Sequence, residues 1–148
     1  MAEINLTQAE ADALLAMEKH TVDERPVSFP VRGQKSVCKL KSRDGREEFF
    51  LDLSRGRIDL RKIKLQNRAR KVVRLARLDL SGGPHQNPDG EYVPTPHLHL
   101  YCEGYDDKWA KPLPEDIFPE TNNELVILED FLRFCNIRGT QVVQMNLL

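Results

Sequence analysis

Asp44-Gly45 stands between two strand-like runs, 36–41 and 47–53, and this pairing commits the middle of the chain to antiparallel sheet. Asp-Gly accepts the positive φ angles of a tight hairpin turn, whose twist matches that of the strands it joins. A second turn follows at Ser54-Arg55-Gly56. Residues 57–65 start irregularly and then alternate, with Ile63 and Leu65 against Lys62 and Lys64. Residues 71–80 put Ala76, Leu78 and Leu80 on one face and Arg77 and Asp79 on the other. Between these two strands, 66–70 (Gln-Asn-Arg-Ala-Arg) reads as a basic tip.

Helices flank this sheet. Thr7-Gln8-Ala9-Glu10 is a capping box with Leu6 placed as its staple, and Ala11, Leu14 and Leu15 follow at helical spacing. The pattern predicts a helix over 8–20. Pro26, Pro30 and Gly33 make 22–33 a connecting segment, and 103–120, with Pro112, Pro114 and Pro119, is loop-like. Thr121-Asn122-Asn123-Glu124 repeats the box. Leu125, Leu128, Leu132 and Cys135 then form a stripe, widened by Phe131 and Phe134, which predicts a second helix over 122–136. Residues 141–147 offer one more short strand. The expected fold is α+β: an N-terminal helix, an antiparallel meander of about five strands and a C-terminal helix, with both helices on one face. At 148 residues, 1–148 suits a single domain around one core.

No window approaches the ~20 apolar residues of a membrane span, and the start Met-Ala-Glu-Ile-Asn lacks the regions of a signal peptide. The expectation is a cytoplasmic protein without a membrane partner. Cys38, Cys102 and Cys135 are odd in number and widely spaced, which points to reduced, buried thiols rather than a disulfide framework or zinc ribbon.

The net charge of −1 hides an asymmetry. From Arg55 to Arg77 there are ten Lys or Arg residues and one acid, Asp59, whereas Glu103 to Asp130 holds nine acids against Lys108 and Lys111. A local basic surface of this kind suits phosphate, with Arg55, Arg57, Arg61, Lys64, Arg68, Arg70 and Arg74 as candidate nucleic-acid contacts. Asp106 and Asp107 are candidate ion-pair partners that would neutralise part of that track. A solvated sheet edge is the plain alternative.

The chemistry-bearing stretch is Thr95-Pro96-His97-Leu98-His99-Leu100-Tyr101-Cys102, in which strand alternation sends His97, His99 and Tyr101 to one face. His85 precedes it across 81–96, a loop with three glycines and four prolines that can fold back. Paired imidazoles serve as metal ligands, as an acid/base pair or as phosphate donors. A metal would need a carboxylate such as Asp79, Asp89 or Glu103 beside the histidines. No Cys/His spacing matches a zinc motif, so the expectation is chemistry without metal or cofactor. On RNA, one of His97 and His99 would deprotonate the ribose 2′-hydroxyl and the other protonate the leaving oxygen. His85 would assist, and Tyr101 and Lys108 would orient phosphate. Tyr105 and Trp109 are available to stack an unpaired base or to anchor the loop.

The run 78–90 (Leu-Asp-Leu-Ser-Gly-Gly-Pro-His-Gln-Asn-Pro-Asp-Gly), then 96–110, together with Leu51-Asp52-Leu53-Ser54-Arg55-Gly56-Arg57-Ile58 and the 128–137 segment, resembles a bacterial and phage family of similar length without an established activity. The Pro96-His97-Leu98-His99 core is also similar to small toxin-like proteins encoded beside antitoxins. That resemblance implies an endoribonuclease acting on RNA, with an antitoxin or another protein partner, or a homodimer. The competing expectation is a non-catalytic module binding protein or nucleic acid. An enzyme should gather His85, His97, His99 and Tyr101 around one open cleft beside a cation, whereas a module would leave them dispersed or packed.

Overall fold

The computed structural model describes residues 5–23, 25–140 and 142–143. Helix α1 (Gln8–Ala16) begins as the capping box dictates: the Thr7 hydroxyl accepts from the Glu10 amide at 3.1 Å and the Glu10 carboxylate accepts from the Thr7 amide at 3.1 Å. It ends four residues short of the predicted 8–20. Met17 turns extended (φ −63°, ψ 135°), and Lys19–Thr21 become strand β1. Sheet pairing there outweighs continuation of the helix.

Strand β2 (Val27–Ser28) pairs with Val142–Val143, which belong to the predicted 141–147 strand; Gln141 and 144–147 lie outside the described residues. The hairpin forms as expected between β3 (Lys35–Ser42) and β4 (Glu48–Arg55), with Gly45 at φ 75°. Strand β5 (Ile63–Ala69) then runs back along β4, and β6 (Val73–Asp79) along β5. The basic tip is therefore corrected: Gln66, Asn67, Arg68 and Ala69 lie within β5, and Arg70 and Lys71 make the turn with φ 50° and 68°. A small hairpin, β7 (His85–Gln86) and β8 (Tyr92–Val93), interrupts the long loop before β9 (His97–Leu100) and β10 (Ala110–Pro112). Helix α2 (Glu124–Phe134) is capped by Asn123, whose side-chain oxygen accepts from the Leu125 and Val126 amides, rather than by Thr121. Strand β11 (Ile137–Arg138) follows it, and Val142–Val143 form β12.

The main sheet has eight strands, β10-β9-β6-β5-β4-β3-β1-β11, and not about five. The additions β1, β10 and β11 are strands of two or three residues at the two margins of the sheet, too short to show a period. All its pairs are antiparallel except β1 with β11.

Alternation splits the residues of this sheet between two faces. One pleat carries Leu51, Leu53, Leu65, Leu78 and Leu98, which join Ala11 and Leu14 of α1 and Ile127, Leu128 and Phe131 of α2 in a single buried cluster. The other carries polar rows fixed by register. Lys35, Ser54, Lys64, Asp79 and His97 are successive cross-strand partners, as are Val37, Asp52, Gln66, Arg77 and His99. Among the described residues no helix is long and apolar enough to cross a membrane. All three cysteines are free; Cys135 is buried, Cys38 and Cys102 only partly so.

Lys19 is wholly buried and ties the helix ends together. Its ammonium donates to the carbonyls of Leu15 (2.7 Å), Met17 (2.9 Å) and Cys135 (2.6 Å), so all three N–H groups are used. Burial pulls its pKa down to about 8, and burial pushes the neighbouring Cys135 thiol up to about 12. Replacing Lys19 with Met strands three carbonyls in the interior. We expect Lys19→Met to lose about 2–4 kcal/mol in urea unfolding, whereas a loss under about 0.5 kcal/mol would show the clamp to be dispensable.

Candidate functional site

The two polar rows end, at β6 and β9, in a cluster around the Asp79 carboxylate. His97 Nε2 lies 3.1 Å and His99 Nε2 3.5 Å from Asp79 Oδ2. Arg77 donates from Nε to Asp79 Oδ1 at 3.0 Å, and its Nη2 is 2.9 Å from His99 Nε2. Burial works against ionisation of Asp79, but the His99 ring and the Arg77 guanidinium outweigh it and hold the carboxyl well below the usual range. His99 Nδ1 faces the Asp107 carbonyl at 2.8 Å, and its Nε2 lies between Asp79 Oδ2 and Arg77 Nη2. His97 Nδ1 faces the Val93 carbonyl at 3.2 Å.

Loops close over the cluster. The His85 ring centroid is 4.6 Å from that of His99 and 6.0 Å from that of His97, and His85 Nε2 donates to the Lys108 carbonyl at 2.6 Å. Asn87 pins the same loop to β10 through a reciprocal pair with the Ala110 backbone, 3.0 and 2.8 Å. His97 and His99 are left 2% and 1% exposed. The three predicted histidines are thus brought together, with a cation beside them, but packed rather than set around an open cleft.

Tyr101 leaves the group. The chain exits β9 after Leu100, and Tyr101 turns into the core, where its hydroxyl donates to the Leu6 carbonyl (2.9 Å) and accepts from the Leu6 amide (2.8 Å). Its expected phosphate contact is corrected to an anchor for the entry to α1. Lys108 enters the cluster through its carbonyl. Tyr105 and Trp109 pack edge to face at 5.8 Å.

Beside the cluster, a groove of about 830 Å³ crosses the polar pleat of β3 to β6, and Arg77 lines its inner end. Of the seven arginine and lysine contacts predicted there, most are already engaged. Arg55 is buried and bidentate to Glu124 (3.1 and 2.8 Å). Arg68 pairs with Asp52, Arg70 with Glu47 at 3.1 Å, and Arg74 with Asp106 at 3.0 Å; Arg61 donates to the Thr121 carbonyl at 3.3 Å. Asp106 and Asp107 do neutralise part of the track, since Asp107 also takes Arg77 at 3.1 Å. Arg57 and Lys64 remain without an ion-pair partner among the described residues, and so do two groove-lining cations the charge count did not single out, Lys35 and Lys62. Lys35 was discoverable from the hairpin register, which sets it across from Ser54 and so in line with Lys64.

The model of a family of unknown function, DUF6978, matches residues 6–137. The chain belongs to DUF6978. The matched span runs from the staple residue of α1 to β11 and so contains both the groove and the histidine cluster of this DUF6978 chain. No curated protein and no solved structure matches it.

The reassignment of Tyr101 is directly testable. Tyr101→Phe removes both bonds to Leu6 and should cost about 1–3 kcal/mol of stability in chemical unfolding, whereas a variant of full stability would show the anchor to be dispensable.

Proposed function

We propose that this chain binds single-stranded RNA along the groove on the polar pleat of its sheet, without cleaving it. The observation that carries the reading is the set of four exposed cations, Lys35, Arg57, Lys62 and Lys64, that line one groove and have no acidic partner among the described residues. Cations already paired within a fold have little to gain from phosphate; these four exchange only water and counterions for it. Val37 and Ile58, 59% and 98% exposed, give the groove apolar side chains against which unstacked bases can lie, and Gln34 and Gln66 supply amide donors and acceptors. A flat, open, cationic track with apolar interruptions suits a single strand better than a duplex, because single-strand sites take the backbone on charge and the bases on exposed faces.

The endoribonuclease reading asks more of the same surface. It needs His97 and His99 in contact with a ribose 2′-hydroxyl and a leaving oxygen, and rings this deeply buried offer no such contact without displacement of the loop that carries His85 and Val93. Binding without catalysis therefore accounts for more of the geometry, and the toxin-like role implied by the Pro-His-x-His resemblance is not required by it.

The test is a salt titration with a labelled single-stranded RNA. Wild type should bind with a linear fall in log affinity against log salt. The Lys62→Glu, Lys64→Glu double variant should bind at least about tenfold more weakly, and its slope should be shallower by about 1.4, at about 0.7 for each phosphate that is no longer neutralised. Arg70→Glu, whose guanidinium already pairs with Glu47, should change the slope less. Absence of binding at low salt, or an unchanged slope in the double variant, rules the groove out; cleavage of the RNA that depends on His97 and His99 restores the enzymatic reading.

A further inference from the structure

We propose that Asp79, His97 and His99 form a binding site for one divalent transition-metal ion of the zinc type, held by two imidazoles and one carboxylate. The inference is independent of the RNA reading, because it rests on donor geometry in the cluster and not on the groove.

Three observations converge. The first is spacing. Asp79, His97 and His99 each offer a ligand atom within 4.8 Å of the others, and His97 Nε2 and His99 Nε2 lie 3.1 and 3.5 Å from Asp79 Oδ2. Tetrahedral coordination with bonds of about 2.0–2.1 Å requires edges of about 3.3–3.4 Å, so the two edges at the carboxylate already stand close to those an ion would set, and an ion would draw the two histidine nitrogens to the same separation.

The second is orientation. Both rings turn Nδ1 to a backbone carbonyl, Val93 for His97 and Asp107 for His99, and both turn Nε2 toward the same carboxylate oxygen. A metal-ligating histidine characteristically donates its second N–H to a carbonyl or carboxylate, which fixes the ring and the tautomer that leaves the ligating nitrogen bare. The carboxylate has an equivalent support. Arg77 Nε holds Oδ1, so Oδ2 is the oxygen presented to the histidines.

The third is a mismatch of donors and acceptors. His97 faces an acceptor from each nitrogen, a carbonyl at Nδ1 and a carboxylate oxygen at Nε2. A neutral ring has one N–H and can satisfy one of them. A cation between Nε2 and Oδ2 satisfies both atoms at once, and Nδ1–H then serves Val93. In its absence positive charge at this point comes from Arg77 Nη2, 2.9 Å from His99 Nε2 and 3.3 Å from Asp79 Oδ2. Arg77 can yield that place and keep its other partners, since Nε keeps Asp79 Oδ1 and Nη1 keeps Asp107 at 3.1 Å.

Three protein ligands leave a fourth position. A water or an incoming donor would fill it, and Arg77, the cation beside the cluster, also lines the groove. Nitrogen and carboxylate ligands with no thiolate favour zinc, cobalt or iron(II) over calcium or magnesium, which take oxygen sets.

The experiment uses the untagged full chain after chelator treatment, titrated with Co²⁺, whose visible absorption reports coordination, and then with Zn²⁺ as competitor. One equivalent should bind, with a tetrahedral-type spectrum that Zn²⁺ abolishes. His99→Ala and His97→Gln should each weaken binding more than about 100-fold, beyond the 10–100-fold usual for loss of an outer-shell partner. His20→Gln, remote from the cluster, should leave it unchanged. Nitrogen-detected NMR of the wild type should show Zn²⁺ shifting the Nε2 resonances of His97 and His99 and not those of His20, a readout that does not depend on any variant folding. Failure of the folded wild type to bind either ion saturably, equal affinity in the histidine variants, or unshifted His97 and His99 resonances would each overturn the site.

Discussion

Asp79 is a carboxylate taken out of water in the middle of a charged face, and the far half of the polar pleat is organised to keep it ionised. Burying a charge is costly unless the site answers it with opposite charge and hydrogen bonds. Here the answer comes from Arg77, two residues away on the same strand face, and from His97 and His99 on the neighbouring strand. Each of these is itself held from outside the sheet. Asp107 takes both Arg77 and the His99 ring, Val93 takes the His97 ring, and Asp107 also lies 3.6 Å from Arg74. The loops on either side of β9 are drawn over the sheet by these contacts, by the His85–Lys108 and Asn87–Ala110 hydrogen bonds and by the apolar packing of Val93.

The same electrostatics decides which cations face outward. Arginine is suited to bidentate pairing, and the fold uses it that way at Arg55 with Glu124 and at Arg68 with Asp52, the latter guanidinium lying 4.5 Å from the Phe50 ring centroid as well. Three of the four unpaired groove cations are lysines. A charge count along the chain weights both residue types equally and cannot tell a paired arginine from an unpaired lysine: it named Arg57 and Lys64, and passed over Lys62 and Lys35, the latter outside the counted 55–77. The acids that remove Arg55 and Arg74 from the track sit 69 and 32 residues further along the chain. The charge asymmetry offered Asp106 as a partner in general terms, but which arginine each acid takes depends on tertiary placement that no local window records.

Much of the strand skeleton was legible because its signals are local. Asp44-Gly45, the alternation at 76–80 and the Thr7 capping box each act over a few residues, and the hairpin, β6 and the start of α1 form close to where they were expected, whereas the strand expected over 57–65 forms only from Ile63 and runs on to Ala69. The misses have a common cause. Helix α1 stops early because Lys19 pairs with Ser42 and Ile137, and the 66–70 tip straightens into β5 because Asp52 and Phe50 lie opposite Gln66 and Arg68. At the candidate site, alternation correctly placed His97 and His99 together, and His85 does reach them. It failed for Tyr101, because a strand's period holds only while the strand lasts, and β9 ends at Leu100.

Arg77 joins the two proposed sites, and its position gives their relation a sign. It lines the groove and it is also the cation nearest the ligating atoms, so an ion at Asp79, His97 and His99 must displace Nη2 from His99. Arg77 lines the groove, and the incoming ion adds positive charge beside it. Metal occupancy should therefore raise affinity for a phosphate backbone, and by linkage RNA in the groove should raise affinity for the metal by the same factor. Arg77→Gln separates the two effects: it removes the arm that transmits the displacement while leaving the charge of the ion, so any enhancement that persists in that variant comes from the ion's field alone.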